Sequence, residues 1–286
     1  MKDALFGPAG NPDSFYKQGY NATSQIPAWL RELGLSAYEY PCGRGVRIRQ
    51  ETAEQIGMEA EKNGTVLSLH APYFINLAVE EEEKILKNIA YFREAAQAAK
   101  WMGAKRVVFH PGSSKNGSKQ ALSQAKKNLQ RILETLNKEG LLDMTFCPET
   151  MGKRNQLGSL EEVLDLCATF GELVPAIDFG HLHARGQGAI QGEADYAAIL
   201  DTLAGALEGD RLKKIHIHFS RIEFTAGGER RHWTFADKQF GPDFMPLMEL
   251  LARRELTPVV ICESRGTMAE DALAMQQAYY LAKNRL

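Results

Sequence analysis

Val66-Leu67-Ser68-Leu69-His70 is a short apolar run that ends in a potential metal ligand. Similar runs occupy residues 4–6, 37–40, 106–110, 144–149, 173–178, 214–219 and 259–263, and seven of the eight runs carry a ligand type at or near their C-terminal ends. If the runs are strands of a closed parallel barrel, all of these ends meet at one mouth. The pattern therefore predicts a metal cluster built from residues that are far apart in sequence.

Segments of helical period separate these runs, which implies parallel pairing of the strands. Residues 81–102 repeat apolar side chains every three to four positions, and Gly103 follows as a C-terminal stop. The size and the repeat predict an α/β fold, a single (β/α)8 TIM-barrel domain over residues 1–286 with a metal site at the C-terminal mouth. A doubly wound open sheet is the alternative, but it would draw its ligands from a few strands at one switch point.

The composition is that of an ordinary globular chain, with 44% hydrophobic residues, 24% charged residues and a formal net charge of -2. No signal peptide and no apolar run long enough for a bilayer is visible. We therefore expect a cytoplasmic protein, without membrane contact and monomeric. The four scattered cysteines are expected to be reduced and mostly buried. The near-neutral charge weighs against duplex DNA as a partner without excluding it.

Imidazoles and carboxylates together suit zinc, manganese or iron. A lone histidine at a strand end is more often structural, but a cluster of buried carboxylates and imidazoles needs a cation to offset its charges. His216 and His218 lie two apart on one strand face, so either could be the ligand, and His218 is favoured because it is nearer the C-terminal end. Glu39 is the weakest candidate and is expected to line the mouth. The candidate ligands are His70, His110, Glu149, Asp178, His181, His218 and Glu263.

The ordered set of strand-end motifs resembles endonuclease IV, the metal-dependent apurinic/apyrimidinic endonuclease family within the xylose-isomerase-like TIM barrels. The resemblance runs over nearly the whole chain, and its most family-like segment is Leu69-His70-Ala71-Pro72-Tyr73-Phe74-Ile75-Asn76-Leu77. The other motifs are Phe6-Gly7-Pro8-Ala9-Gly10, Phe109-His110-Pro111-Gly112, Pro148-Glu149-Thr150, Asp178-Phe179-Gly180-His181, His216-Ile217-His218-Phe219-Ser220 and Cys262-Glu263-Ser264.

The resemblance implies two or three ions, usually zinc, with manganese as an alternative. Glu149 would bridge two ions, and Glu149 and Glu263 are the expected catalytic residues. His70 and His110 would complete the first site, Asp178, His218 and Glu263 the second, and His181 and His232 the third. The family places an aspartate two residues before the last histidine, where this chain has Arg230. Glu229 would substitute only if the loop shifts; otherwise the third ion is weak, absent or held with help from His183.

The activity implied by the resemblance is hydrolysis of duplex DNA on the 5′ side of an abasic sugar, as in base excision repair. Tyr73 and Phe74 would enter the minor groove, and Arg230 and Arg231 would contact the DNA. Tyr73 and Phe74 could equally be packing over the barrel rim. Further basic residues fall in predicted mouth loops and would form a collar or be ordinary solvated charges: Arg44, Arg47, Arg49, Lys115, Lys119, Lys153, Arg154 and Arg221.

Two other functions are compatible with the same barrel, because the fold alone does not decide chemistry. A sugar isomerase or epimerase would use one manganese, cobalt or magnesium ion on Glu149, Asp178, His218 and Glu263, and the two glutamates would exchange a substrate proton. His70, His110 and His181 favour the endonuclease, because a mononuclear isomerase does not need them. A catalytically silent barrel that binds a metal or a partner is the third interpretation.

Overall fold

The computed structural model describes residues 3–114 and 117–285, so Lys115 of the predicted basic collar lies outside the described residues. All eight apolar runs form strands. In chain order they are β1 Leu5–Pro8, β2 Ala37–Pro41, β3 Val66–His70, β4 Arg106–Phe109, β5 Thr145–Pro148, β6 Ala176–Asp178, β7 His216–Phe219 and β8 Val259–Cys262.

The eight strands pair in parallel and close into a barrel. Two four-stranded sheets have the orders β1-β8-β7-β6 and β2-β3-β4-β5. Isolated parallel bridges join them at Ala9–Glu39 and Glu149–Ala176. The Gly10 amide donates to the Glu39 carbonyl across one seam at 2.9 Å. The predicted TIM barrel is therefore confirmed, and the open-sheet alternative is wrong.

Helices follow the strands and cover the outside of the barrel. Their bounds are α1 Asp13–Lys17, α2 Ile26–Leu33, α3 Gln50–Asn63, α4 Glu82–Met102, α5 Ser118–Lys138, α6 Leu160–Thr169, α7 Phe179–Arg185, α8 Glu193–Ala206, α9 Met245–Arg253 and α10 Met268–Lys283. Helix α4 agrees with the predicted periodicity: Phe92 and Ala96 on its inner face are fully buried, and Gly103 ends the helix in the left-handed conformation at φ 66°. No helix of residues 3–114 and 117–285 is long and apolar enough to cross a membrane.

Two antiparallel pieces that the sequence did not predict lie at the C-terminal mouth. One is a short ribbon of Gly112–Ser113 and Gln156–Leu157. The other, called here the rim hairpin, pairs Arg221–Thr225 with Gly228–Trp233. Both follow barrel strands directly along the chain, so they bring loop side chains to the mouth.

The four cysteines, Cys42, Cys147, Cys167 and Cys262, are free and buried, as predicted. Burial raises the pKa of each thiol to about 12, so the thiols stay protonated at neutral pH. They are structural side chains of the core.

Candidate metal centre

Glu149, at the end of β5, lies at the centre of the mouth and faces four imidazoles. Its Oε2 atom is 3.1 Å from Nε2 of His70 and 3.1 Å from Nε2 of His110. Its Oε1 atom is 3.2 Å from Nδ1 of His218 and 3.3 Å from Nδ1 of His181. The two carboxylate oxygens thus face different histidine pairs, which is the arrangement that a bridging carboxylate requires.

The first histidine pair is oriented by the backbone on one side. Nδ1 of His70 is 2.8 Å from the carbonyl of Ala71, to which it donates, and this leaves the Nε2 lone pair directed at the mouth. His110 stands nearly perpendicular to His70, with ring centroids 5.0 Å apart. Together with Glu149, the two rings surround a space open to the mouth.

A second group combines Glu149, Asp178, His218 and Glu263, whose candidate ligand atoms all lie within 4.8 Å of one another. Nδ1 of His218 is 3.4 Å from Oε1 of Glu263. Asp178 uses Oδ1 to accept from the amide of His181 at the start of α7. Its buried Oδ2 has no hydrogen-bond partner among the described residues. An unsatisfied buried carboxylate oxygen beside other carboxylates is where a cation would bind.

A third group consists of His181, His232 and Glu229. Nε2 of His181 is 3.4 Å from Oε2 of Glu229, and Nε2 of His232 is 3.7 Å from Oε1 of the same carboxylate. Nδ1 of His181 is 2.9 Å from the carbonyl of Thr150, which leaves Nε2 free to face Glu229. Two imidazoles and a carboxylate therefore meet where the resemblance implied the third ion.

A bulge in the rim hairpin explains how Glu229 reaches that position. Ile222 pairs with His232 and Glu223 with Arg231, but Phe224 then pairs with Glu229, so Arg230 is an extra residue. In a regular strand the residue two before His232 shares its face. The bulge moves Glu229 into that place and leaves Arg230 exposed, with its guanidinium 2.6 Å from Glu223. The bulge is the loop shift that Glu229 needs in order to take the place of the aspartate implied by the resemblance.

His183, the alternative helper of the third ion, lies outside these groups. Its Nδ1 accepts from the amide of Ile190 at 3.3 Å, and its ring packs edge-on against Phe224. Burial lowers its pKa. The third member of the third group is therefore the carboxylate of Glu229, and His183 does not belong to the group.

Glu39 and His216 lie deeper in the barrel than the mouth, and both are fully buried. Oε2 of Glu39 is 3.0 Å from Nε2 of His216, and Oε1 is 2.9 Å from Nε2 of His218. The expectation that Glu39 lines the mouth is therefore wrong, because its strand position directs the side chain into the barrel below the cluster. His218 is the histidine that faces the other candidate ligands.

The electrostatics of the cluster favour positive charge. Burial by itself would raise the pKa of Glu149, but the charge of His218 and hydrogen bonds from the surrounding imidazoles hold it well below its ordinary value. Burial opposes charge on His70 as well, yet its hydrogen bond and attraction to Glu149 raise its pKa to about 9. Burial raises the pKa of Asp178. Protons on the imidazoles offset the charge of the buried carboxylates, and bound divalent cations would offset it in the same way. The residues present therefore fit a metal centre.

A cavity of about 370 Å³ opens above the centre. Tyr73, Lys153 and Gln156 line it beside the candidate ligands. Tyr73 is 50% exposed and Phe74 is 40% exposed, so the loop that follows β3 presents two aromatic rings to solvent at the rim.

The predicted DNA-contacting arginines stand on the rim hairpin. Arg230 and Arg231 are exposed and line an adjoining cavity of about 530 Å³ together with Arg265. Arg221 does not join the predicted basic collar, because it is buried and its guanidinium donates to the carbonyl of Phe240 and contacts Asp243. The basic side chains on this side are thus fewer than the sequence suggested.

Comparison with known proteins identifies the family. The chain belongs to the xylose isomerase-like TIM barrels, whose family model matches residues 27–283. It is 34% identical over 277 residues to an uncharacterized protein of Methanocaldococcus jannaschii, covering 96% of each chain. It is 25% identical over 211 residues to a probable endonuclease 4 of Shouchella clausii, covering 69% of each chain. The predicted resemblance is confirmed.

Solved structures with the same fold include both an endonuclease and an epimerase-like protein. Endonuclease IV from Thermus thermophilus superposes with a TM-score of 0.69 at 18% identity, covering 100% of both chains. A D-tagatose 3-epimerase-like protein superposes with a TM-score of 0.68 at 19% identity, covering 88% of this chain and 90% of the other. Likeness at this level of identity establishes the barrel and leaves the choice of chemistry to the site.

Proposed function

We propose that this protein is a metal-dependent phosphodiester hydrolase of the endonuclease IV type that cleaves duplex DNA on the 5′ side of abasic sites. The observation that carries the proposal is the presence of two further ligand groups around Glu149, beyond the four residues that one ion needs. His70 and His110 form one, and His181, Glu229 and His232 form the other. Histidine-rich oxygen and nitrogen ligands suit zinc, with manganese as an alternative.

Charge balance supports an anionic substrate. Three divalent cations would bring six positive charges against the four carboxylates Glu149, Asp178, Glu229 and Glu263. Such a centre is net positive and attracts a phosphodiester. A single ion on Glu149, Asp178 and Glu263 would be outnumbered by the carboxylate charges and would suit a neutral sugar better.

The chain's own residues divide the work of hydrolysis. Bound divalent ions supply Lewis-acid polarisation of a phosphoryl oxygen and lower the pKa of a water toward neutrality. Glu149 spans two of the ligand groups and sets their separation, because its oxygens face different histidine pairs. Asp178 and Glu263 orient the second group, and Glu229 holds the third beside the cavity that contains Arg231. Tyr73 stands at the rim, where it could stack in the space left by a displaced nucleotide.

A sugar epimerase with one divalent ion is the second candidate, supported by the compact group Glu149, Asp178, His218 and Glu263. Incubation of the metal-loaded protein with a duplex that contains one abasic-site analogue separates the two functions. We expect a single incision that leaves a 3′-hydroxyl, is absent from the undamaged duplex, and is lost with EDTA. Elemental analysis should find two or three ions per chain. One ion per chain together with interconversion of a ketose would contradict the proposal.

Tyr73→Ala should weaken recognition of the abasic duplex without changing metal content. Stacking of one aromatic ring on a base contributes about 1–3 kcal/mol, which corresponds to roughly 5- to 150-fold in affinity. The dissociation constant for the uncleaved duplex can be measured by fluorescence anisotropy in the presence of EDTA, where no incision is expected. Met58→Ala is the matched control, since Met58 is 64% exposed and lines a groove near the strand starts. Equal affinities of the two variants would show that Tyr73 merely packs over the rim.

A further inference from the structure

A chain of four polar side chains, three of them fully buried, runs through the barrel interior beneath the candidate metal centre. Arg106 at the start of β4 contacts His216, with 3.2 Å between its Nη1 and Nδ1 of the imidazole. Nε2 of His216 is 3.0 Å from Oε2 of Glu39, and Oε1 of Glu39 is 2.9 Å from Nε2 of His218. We call Arg106, His216, Glu39 and His218 the interior chain. It connects the lower end of the barrel with a candidate metal ligand.

Arg106 determines which way the hydrogen bonds run. A guanidinium only donates, so Nδ1 of His216 must accept, and the hydrogen of that imidazole is on Nε2. Nε2 therefore donates to Oε2 of Glu39, and the hydroxyl of Ser68 donates to the same oxygen at 2.8 Å. Two further bonds, to the carbonyls of Lys214 and Ile215, hold the guanidinium against the chain just before β7. Oε2 of Glu39 is thus occupied, and Oε1 is directed at His218.

His218 stands among three carboxylates, one facing Nε2 and two facing Nδ1. Nε2 faces Glu39, and Nδ1 faces Glu149 at 3.2 Å and Glu263 at 3.4 Å. In the described part of the chain Nε2 of His218 and Oε1 of Glu39 have no hydrogen-bond partner, although the two atoms lie 2.9 Å apart. A neutral imidazole has one hydrogen, and a cation in the second group needs the lone pair of Nδ1. The hydrogen then has to be on Nε2, where Glu39 can accept it.

We propose that Glu39 is a positioning residue of the metal centre, which accepts the Nε2 hydrogen of His218 and so directs the Nδ1 lone pair at the second group. Ser68 and His216 hold the carboxylate of Glu39, and Arg106 sets the tautomer of His216. In this arrangement His216 is not a ligand itself, because its Nε2 carries the hydrogen that it donates to Glu39. The inference rests on the proposed metal centre and is independent of whether DNA is the substrate.

The first test uses the unaltered protein loaded with zinc. Two-dimensional ¹H–¹⁵N NMR of the imidazoles reports which nitrogen of His218 carries a hydrogen. We expect the Nε2–H tautomer, with the Nδ1 resonance shifted by the ion, and an Nε2–H tautomer for His216. An Nδ1–H tautomer of His218 in the zinc-loaded protein would overturn the inference, and this measurement needs no variant to fold.

The second test compares the zinc affinity of Glu39→Gln with that of the unaltered protein by titration against a competing chelator. Glutamine has a single acceptor oxygen and no charge, so it cannot accept from all three neighbours that surround the carboxylate. Loss of such a supporting carboxylate typically weakens metal binding by about 10–100-fold, and we expect a loss in that range for the second group. Cys147→Ala is the control, since Cys147 is also buried in the barrel wall, on β5, but contacts no candidate ligand by a hydrogen bond among the described residues.

The outcomes separate the two proposals. An unaltered protein that takes up no zinc contradicts the metal centre itself and with it the role of Glu39. A zinc-binding protein whose Glu39→Gln variant retains the same affinity and the same His218 tautomer overturns the role of Glu39 alone. Weaker zinc binding in Glu39→Gln, with Cys147→Ala unchanged, supports the inference.

Discussion

Glu149→Gln is expected to abolish incision of the abasic duplex and to release at least one metal ion per chain. Its two oxygens face His70 and His110 on one side and His181 and His218 on the other, so the carboxylate spans the first and second ligand groups. An amide has one acceptor oxygen and no charge, and it cannot bridge two cations. Loss of several kcal/mol of electrostatic stabilisation corresponds to about 10³-fold or more in rate.

Turnover of the abasic duplex and elemental analysis of the same preparation measure this effect. Glu162→Gln is the matched control, because Glu162 is another buried glutamate, but one that caps α6 through the amides of Gly158 and Ser159. The control should keep full zinc content and activity, with at most a lower melting temperature. A Glu149→Gln protein that retains both its ions and its rate would remove Glu149 from the centre of the mechanism.

Glu229→Ala is expected to lower the metal content by one ion per chain and to slow incision by about 10²–10³-fold, the typical cost of removing one group that stabilises developing charge. Glu229 is the only carboxylate in the group with His181 and His232. Without it two neutral imidazoles remain, and they do not offset the charge of a divalent ion. Glu223→Ala is the control on the same hairpin, because Glu223 pairs with Arg230 and Trp233 and belongs to none of the candidate ligand groups among the described residues.

Deletion of Arg230 tests the bulge that places Glu229. Removal of the extra residue should let the two hairpin strands pair regularly, with Glu229 two positions before His232 and on the same face. We therefore expect the deletion variant to retain the ion that Glu229→Ala loses, as elemental analysis would show. If the deletion variant folds but loses the ion, the site requires the bulge itself. The bulge would then do more than absorb one extra residue in the hairpin.

The barrel could be predicted because its signal is local and repeated. Each strand is a short apolar run, each long helix has its own period, and Gly103 shows where α4 ends. The candidate ligands at strand ends could be named for the same reason: in a parallel barrel the end of every strand reaches the same mouth. Their roles as ligands remain predictions that the metal analyses test.

Glu229 could be named but not placed, since a β-bulge leaves little trace in the residues around it. In the sequence Arg230 occupies the position that shares a face with His232, and only the pairing of Phe224 with Glu229 reverses this. The prediction that Arg221 lies in a mouth loop was also wrong, because its position depends on a contact between distant segments. It follows β7 as a loop residue would, yet it turns away from the mouth to bond the carbonyl of Phe240, a contact nineteen residues away in sequence.

The sequence by itself determined the class of fold, the strand ends and the residue types that meet at the mouth, because hydrophobic period and strand direction are properties of short segments. The tertiary structure alone decided which of His216 and His218 faces Glu149, that Glu39 lies beneath the centre, and that Glu229 replaces Arg230 beside His232. These choices depend on the depth of a residue within the barrel and on the register between strands. Both arise from contacts between segments that the local sequence does not encode.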